Sequence, residues 1–179
     1  GFEFCPQLNA AYNLPKLVLR ASAGRSIRAA DYTERYNNNV ALKTYIRLGN
    51  PNLSAERGWS EEIGINYSLF KNTLLKATIF SRQSSNIIDY ILTNESDIDS
   101  NIGVLVPGAN YTFAKNIKEV NVNGFELELN TNISLENNNS LNCQMGYTFT
   151  DITNDTLGIY LSSFAKHLIN AQLILNYNS

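Results

Sequence analysis

The sequence predicts an all-β chain, an antiparallel up-and-down meander of about seven strands. Three observations predict it. Apolar and polar residues alternate with a period of two along most of the chain, which puts successive side chains on opposite faces of a sheet. The connections between these runs alternate in length: polar turns at 13–16, 69–72 and 136–140 separate irregular stretches at 26–57, 91–118 and 152–165. Charge is sparse, at 17% of 179 residues, against roughly 25% in ordinary soluble domains; Asn, Ser and Thr carry the polarity instead.

The strands follow in order. Residues 5–12 and 16–26 form a first pair, turned by Asn13-Leu14-Pro15, and in the second of them Leu17, Leu19, Ala21 and Ala23 share one face. The third, 58–69, sets Ile63, Ile65, Tyr67 and Leu69 against Glu62, Gly64, Asn66 and Ser68. The fourth, 73–90, sets Leu75, Ala77 and Ile79 against Leu74, Lys76, Thr78, Phe80 and Arg82. In the fifth, 119–135, Phe125, Leu127 and Leu129 oppose Glu126, Glu128 and Asn130. The sixth is 141–151. The seventh, 165–177, lines up Ala171, Leu173, Leu175 and Tyr177.

The apolar rows carry almost no charge, whereas the opposite rows carry Glu, Lys and Arg in mid-strand. A membrane strand needs this division, because a charge at the bilayer midplane costs about 2–4 kcal/mol. Short turns at one end and long loops at the other are also the asymmetry of an outer-membrane barrel. Aromatic residues near strand ends (Tyr12, Trp59, Tyr67, Tyr90, Tyr147, Tyr177) suit an interfacial girdle, although β propensity alone would also place Tyr in strands. Mean hydropathy is −0.21, and no apolar run reaches the about 20 residues of a spanning helix. Seven strands fall short of the about eight in the smallest bacterial barrels, so the expectation is a piece of a larger one.

Several chemistries are excluded or disfavoured. Net charge is −2 and the isoelectric point about 5.4, which leaves no basic footprint for nucleic acid. Cys5 and Cys143 form neither a disulfide framework nor a metal spacing. His167 is the only histidine, and no nucleophile or acid–base set stands beside it. Asp97, Asp99, Asn101 and Gly103 loosely resemble a calcium loop, but its glycine and terminal glutamate are out of place. The expectation is no enzyme activity, no metal and no cofactor. The chain opens Gly1-Phe2-Glu3-Phe4 without a secretory leader pattern, so an exported parent is expected to have lost its leader.

The loop sequences carry a family resemblance. The run from Leu19 to Tyr36, with Gly24-Arg25, then Ile27-Arg28-Ala29-Ala30, then Glu34-Arg35-Tyr36, resembles the strand-into-loop segment of TonB-dependent outer-membrane receptors. Gly49-Asn50-Pro51-Asn52-Leu53-Ser54-Ala55-Glu56, continuing to Glu62, is similar to that family's Gly-Asn-Pro-Asn-Leu-Lys-Pro-Glu stretch. Ile87-Ile88-Asp89-Tyr90-Ile91 is similar to a strand entering a loop, Gly124-Phe125-Glu126 to a re-entry strand, and Tyr147 to Asp151 to a late strand. Ala30, Arg35 and Ser54-Ala55 depart from the family's Pro, Leu and Lys-Pro.

The resemblance implies that residues 1–179 are part of the carboxy-terminal third of a 22-stranded transmembrane β-barrel, without its plug or TonB-contacting segment. It further implies a Gram-negative outer-membrane receptor importing a scarce solute, such as a ferric siderophore or cobalamin. Its partners would be the TonB complex acting through the plug, the small-molecule solute and outer-membrane lipid. Ligand-facing candidates in the long loops are Arg28, Tyr32, Arg35, Tyr36 and Tyr45, then Tyr111 and Lys115. Motif residues expected to be structural are Arg25, Glu34, Asn50, Pro51, Asn52, Leu53, Glu56, Gly124, Phe125 and Glu126. Asn50-Pro51-Asn52 has turn chemistry, Glu56 or Glu62 would pair with Arg25 or Arg28, and Gly124 would mark a close approach or a bulge. The competing reading is a soluble or surface β-sandwich binding module, adhesin-like and without transport.

Overall fold

A computed structural model describes residues 2–37, 47–137, 139–154 and 165–177. Seven long strands form one sheet: β1 (Gln7–Asn13), β2 (Leu17–Arg28), β4 (Glu56–Phe70), β5 (Thr73–Asn94), β6 (Asn110–Ser134), β7 (Ser140–Asn154) and β8 (His167–Asn176). Each pairs antiparallel with its sequence neighbour. The first long connection holds a short helix, α1 (Tyr32–Tyr36), and a two-residue strand, β3 (Arg47–Leu48), which pairs parallel with β6. The all-β meander is therefore as expected, with β3 as an addition. Its two residues carry too little pattern to be read as a strand.

The two faces of the wall differ in chemistry. Ala21, Ile63, Ile79, Phe125, Phe149 and His167 lie in one register row across β2, β4, β5, β6, β7 and β8. The next row toward the long loops is Ala23, Glu61, Ser81, Asn123 and Asp151, so the apolar band ends there on every strand from β4 to β7. Below that border the same face is largely apolar and uncovered; Ile63, Ile79 and Ile169 are 69%, 71% and 75% exposed. From Phe125 to Ile133 the band covers about 27 Å of strand. At a tilt of about 40° that is about 20 Å in height, close to the about 25 Å band of membrane barrels. At the border, Phe125 packs on Tyr147 and Phe149, with ring centroids 5.7 and 5.6 Å apart. Phe149 in turn packs on His167 at 5.3 Å. An interfacial girdle has this composition.

The opposite face is polar. Lys76 pairs with Glu128 at 3.1 Å, and Arg82 with Glu62 at 3.5 Å. Glu126 and Glu128 share this face, as their spacing predicts. Gly124 sits here opposite Phe80. It marks a close approach and not a bulge, since the β5–β6 and β6–β7 ladders both run in register through it, from Phe125 to Gly124 to Asn123. A Cβ at Gly124 would collide with the Phe149 carbonyl oxygen and lie 2.5 Å from Phe80 Cζ. Phe125 projects to the apolar face instead.

The stretch 91–118 is not the irregular loop its composition predicts. The β5–β6 ladder continues from Ile87↔Ile117 to Asn94↔Asn110, leaving 95–109 as the connection. Alternation fails there because both faces of the hairpin are covered. Leu48, Ile98, Ile102, Tyr111 and Phe113 cluster on one side, and Leu53, Ile88, Tyr90 and Ala114 on the other. A strand buried on both faces loses the period-two signal. Most of the third long stretch, 152–165, lies outside the described residues. Among the described residues no group of His, Cys, Asp or Glu could hold a metal, and Asp99 caps a single helical turn by accepting from the Asn101 N–H.

Gly124→Val should prevent correct assembly of the wall, since the added atoms meet a neighbouring strand's backbone and overpacking of this kind costs about 1–3 kcal/mol or more. Heat-modifiable migration of the parent barrel on gels would be lost or much reduced, while Phe125→Leu, on the other face, should leave it intact.

Candidate functional site

The long-loop end carries an organised cap, built from the first long connection. Asp31 caps α1 by accepting from the Glu34 N–H at 2.7 Å, and the Glu34 carboxylate accepts from the Asp31 N–H at 2.8 Å. This reciprocal capping box satisfies helix donors that would otherwise be orphaned. It holds a five-residue helix whose Tyr32 and Tyr36 rings lie 5.3 Å apart and face solvent, Tyr32 at 77% exposure.

Arg28 braces both ends of the connection. Its guanidinium donates to Glu34 at 3.0–3.1 Å and to Glu56 at 2.5 and 2.7 Å. Glu56 also accepts from the Ile88 N–H at 2.7 Å. Burial works to raise the Glu56 pKa, but Arg28 and the Ile88 N–H together outweigh it and hold the group below the ordinary carboxylate range. Glu56, and then Glu34, push Arg28 further up. Asp31 is held low, chiefly by the Glu34 backbone N–H. The expected pairing of Glu56 with Arg28 is present. Arg25 instead pairs with Glu3 at 2.9 Å, and Glu62 turns to Arg82. Arg25 and Ala23 share the apolar face of β2, whereas Glu62 and Arg28 lie on the other, so strand alternation keeps Arg25 and Glu62 apart.

The Gly-Asn-Pro-Asn-Leu motif locks α1 to the β5–β6 hairpin. The Gly49 and Asn50 N–H groups donate to the carbonyls of Asn37 and Glu34, both at 2.8 Å. A Cβ on Gly49 would fall 2.7 Å from Asn37 N, so only glycine permits this approach. The Asn50 side chain accepts from the Asn52 N–H and donates to the Ala114 carbonyl at 3.1 Å. Pro51 and Asn52 make the exposed turn, and Leu53 is buried between Ile88, Tyr90 and Ala114. Arg35 donates to the Leu53 carbonyl at 3.1 Å.

The structure therefore brings Arg28, Tyr32, Glu34, Arg35, Tyr36, Asn50 and Glu56 into one cap. Tyr111 and Lys115 lie on β6 and not in a loop; Tyr111 is buried and its hydroxyl accepts from the Val106 N–H at 2.9 Å. Tyr45 lies outside the described residues. Asn116 was not singled out by sequence, yet its side chain accepts from the Ser54 N–H at 2.9 Å and donates to the carbonyls of Ser54 and Asn86 at 3.0 and 2.7 Å. In an Asn-rich chain nothing local marks it.

The chain matches, over residues 1–179, the family described as TonB dependent receptor-like, beta-barrel. It belongs to that family. Comparison with curated protein sequences returned no match. Among solved structures, the siderophore receptor PirA from Pseudomonas aeruginosa is 22% identical with a TM-score of 0.61, over 84% of this chain and 28% of that one. The Serratia marcescens hemophore receptor HasR, in complex with HasA and heme, gives 22% and 0.67 over 82% and 22%. The ferric enterobactin receptor PfeA of P. aeruginosa, in complex with enterobactin, gives 20% and 0.64 over 94% and 25%. At these identities the likeness is one of fold. The chain spans about a quarter of the length of these receptors.

Arg28→Ala should release the first long connection without unfolding the wall. Arg28 is nearly half exposed, so the brace contributes about 1 kcal/mol, an about five-fold larger open population. Limited proteolysis within 29–55 of the parent should speed up accordingly. Acid should act in the same direction. Because Glu56 is held below its unfolded pKa of about 4.3, its contribution is present above that pH and is lost as pH falls through the lower folded value. Cleavage should therefore accelerate below about pH 4 in the wild type and change far less in Glu56→Gln.

Proposed function

We propose that this chain is the wall and mouth of an energised importer in a Gram-negative outer membrane, which captures a scarce solute such as a ferric siderophore or cobalamin. The observation that carries the reading is a cap with exposed paired tyrosines on a wall that is apolar outside and charged inside. The apolar face meets lipid, and the charged face, with Lys76, Glu128, Arg82 and Glu62, meets the plug. Tyr32 and Tyr36 present ring faces to the arriving solute, with their helix fixed by Arg28 on Glu34 and by Arg35 on the Leu53 carbonyl. Lys115 and Tyr111 support the neighbouring hairpin. TonB would act through the plug, which pulls open a path below the cap.

The named relatives bind siderophores, enterobactin, or heme with its hemophore, so an iron-bearing solute is favoured over cobalamin. A β-sandwich module accounts less well for the structure. A sandwich buries its apolar face under a second sheet, and the described residues form a single sheet with that face bare.

Three measurements test the reading. In the parent receptor lacking its native cysteines, Leu127→Cys should be quenched by a lipid-dissolved quencher and Glu128→Cys labelled by a water-soluble thiol reagent; aqueous labelling of both would remove the membrane wall. Uptake of radioactive iron on a panel of ferric siderophores should depend on TonB and the proton gradient. Replacing Tyr32 and Tyr36 together by Ala should weaken solute binding about ten-fold, or about 1.4 kcal/mol, with the barrel still assembled.

A further inference from the structure

The β5–β6 hairpin leaves the wall at one interrupted rung. The ladder passes from Ser85↔Glu119 directly to Ile87↔Ile117, and Asn86 between them has a left-handed φ of 56°, a conformation that Asn tolerates and most residues avoid. The β4–β5 ladder and the described part of the β6–β7 ladder end at the same level. The β4–β5 ladder ends at Arg57↔Ser85 and the β6–β7 ladder at Val120↔Asn154. Above the interrupted rung the hairpin is therefore a two-stranded ribbon with no wall strand beside it among the described residues.

Two side-chain ties cross this level, and both lead to residues 54–56. On the β5 edge, Glu56 accepts from the Ile88 N–H at 2.7 Å while Arg28 holds the same carboxylate. On β6, Asn116 donates to the Asn86 carbonyl at 2.7 Å and exchanges two hydrogen bonds with the Ser54 backbone. Higher up, the first connection is fastened to the ribbon itself. β3 pairs with Thr112 and Phe113, Asn50 donates to the Ala114 carbonyl, and Leu48 and Leu53 are buried in its two apolar clusters. The connection thus grips the ribbon more extensively than it grips its own strands.

We infer that the ribbon and residues 47–53 form one rigid arm pivoting at the Asn86 rung, and that Glu56 and Asn116 clamp the arm upright. The pivot tilts the connection at 95–109, with its exposed Val104 and Val106, toward or away from the mouth while carrying the Asn50-Pro51-Asn52 turn with it. Loss of either tie loosens the pivot and leaves the apolar clusters that join ribbon and connection whole. The inference holds whichever solute is carried.

Distances between spin labels test it in the parent receptor, in detergent and in lipid, without any transport assay. With the native cysteines replaced, labels at Val104 and Gln83 report arm against wall, and labels at Val104 and Asn52 report motion within the arm. Wild type should give narrow distributions for both pairs. Glu56→Ala should at least double the width of the 104–83 distribution and leave 104–52 unchanged, and Asn116→Ala should broaden 104–83 likewise. Heat-modifiable migration confirms that each variant has an assembled barrel. An unchanged 104–83 width in both variants would remove the pivot. Equal broadening of both pairs in Glu56→Ala would show that arm and connection are separate bodies and would overturn the inference.

Discussion

The structure depends on one requirement: each backbone N–H and C=O in an apolar surrounding must find its partner within the protein. In the wall, strands meet it for one another in an unbroken antiparallel series from β1 to β8. That requirement in turn dictates the outward chemistry. Once the backbone is satisfied laterally, the only cost of facing hydrocarbon lies in the side chains, and the rows containing Ile63, Ile79 and Leu127 carry no Asp, Glu, Lys or Arg, with His167 at the border the one titratable nitrogen. The charged groups are displaced to the other face, where Lys76 and Glu128 or Arg82 and Glu62 neutralise one another.

Beyond the wall the same requirement is met by different means. Beyond the described β4–β5 and β6–β7 ladders, side chains stand in for strands along the edges of the β5–β6 hairpin. The Glu56 carboxylate takes the Ile88 N–H, Asn50 supplies a donor to the Ala114 carbonyl, and Asn116 offers Ser54 both a donor and an acceptor, as a strand would. An amide side chain suits this task because it carries both functions in one plane. The abundance of Asn in the loops has a structural use at these positions. The same bonds that cover the edges also anchor α1, so the exposed tyrosines are held in place as a by-product of satisfying the hairpin.

Much of this was legible in the residues. The period-two pattern and the alternation of short and long connections were sufficient for the wall, since a residue's face in a strand follows from its parity alone. The Asp31–Glu34 capping box and the turn at Asn50-Pro51-Asn52 are likewise local. The pattern misled where burial became two-sided. Past Tyr90 no alternation survives, because clusters cover the hairpin from both sides, so 91–94 and 110–118 read as loop although they continue the ladder, and Tyr111 and Lys115 read as loop residues.

The sequence by itself determined the wall: its strands, its apolar and charged faces, and the family, each of which rests on residues a few positions apart. The tertiary structure alone decided the cap. Asn50 and Ala114 are 64 positions apart, Ser54 and Asn116 62, and Arg28 and Glu56 28. No local periodicity encodes which of many asparagines meets which carbonyl; that choice is made when the first connection folds across β5 onto the edge of β6.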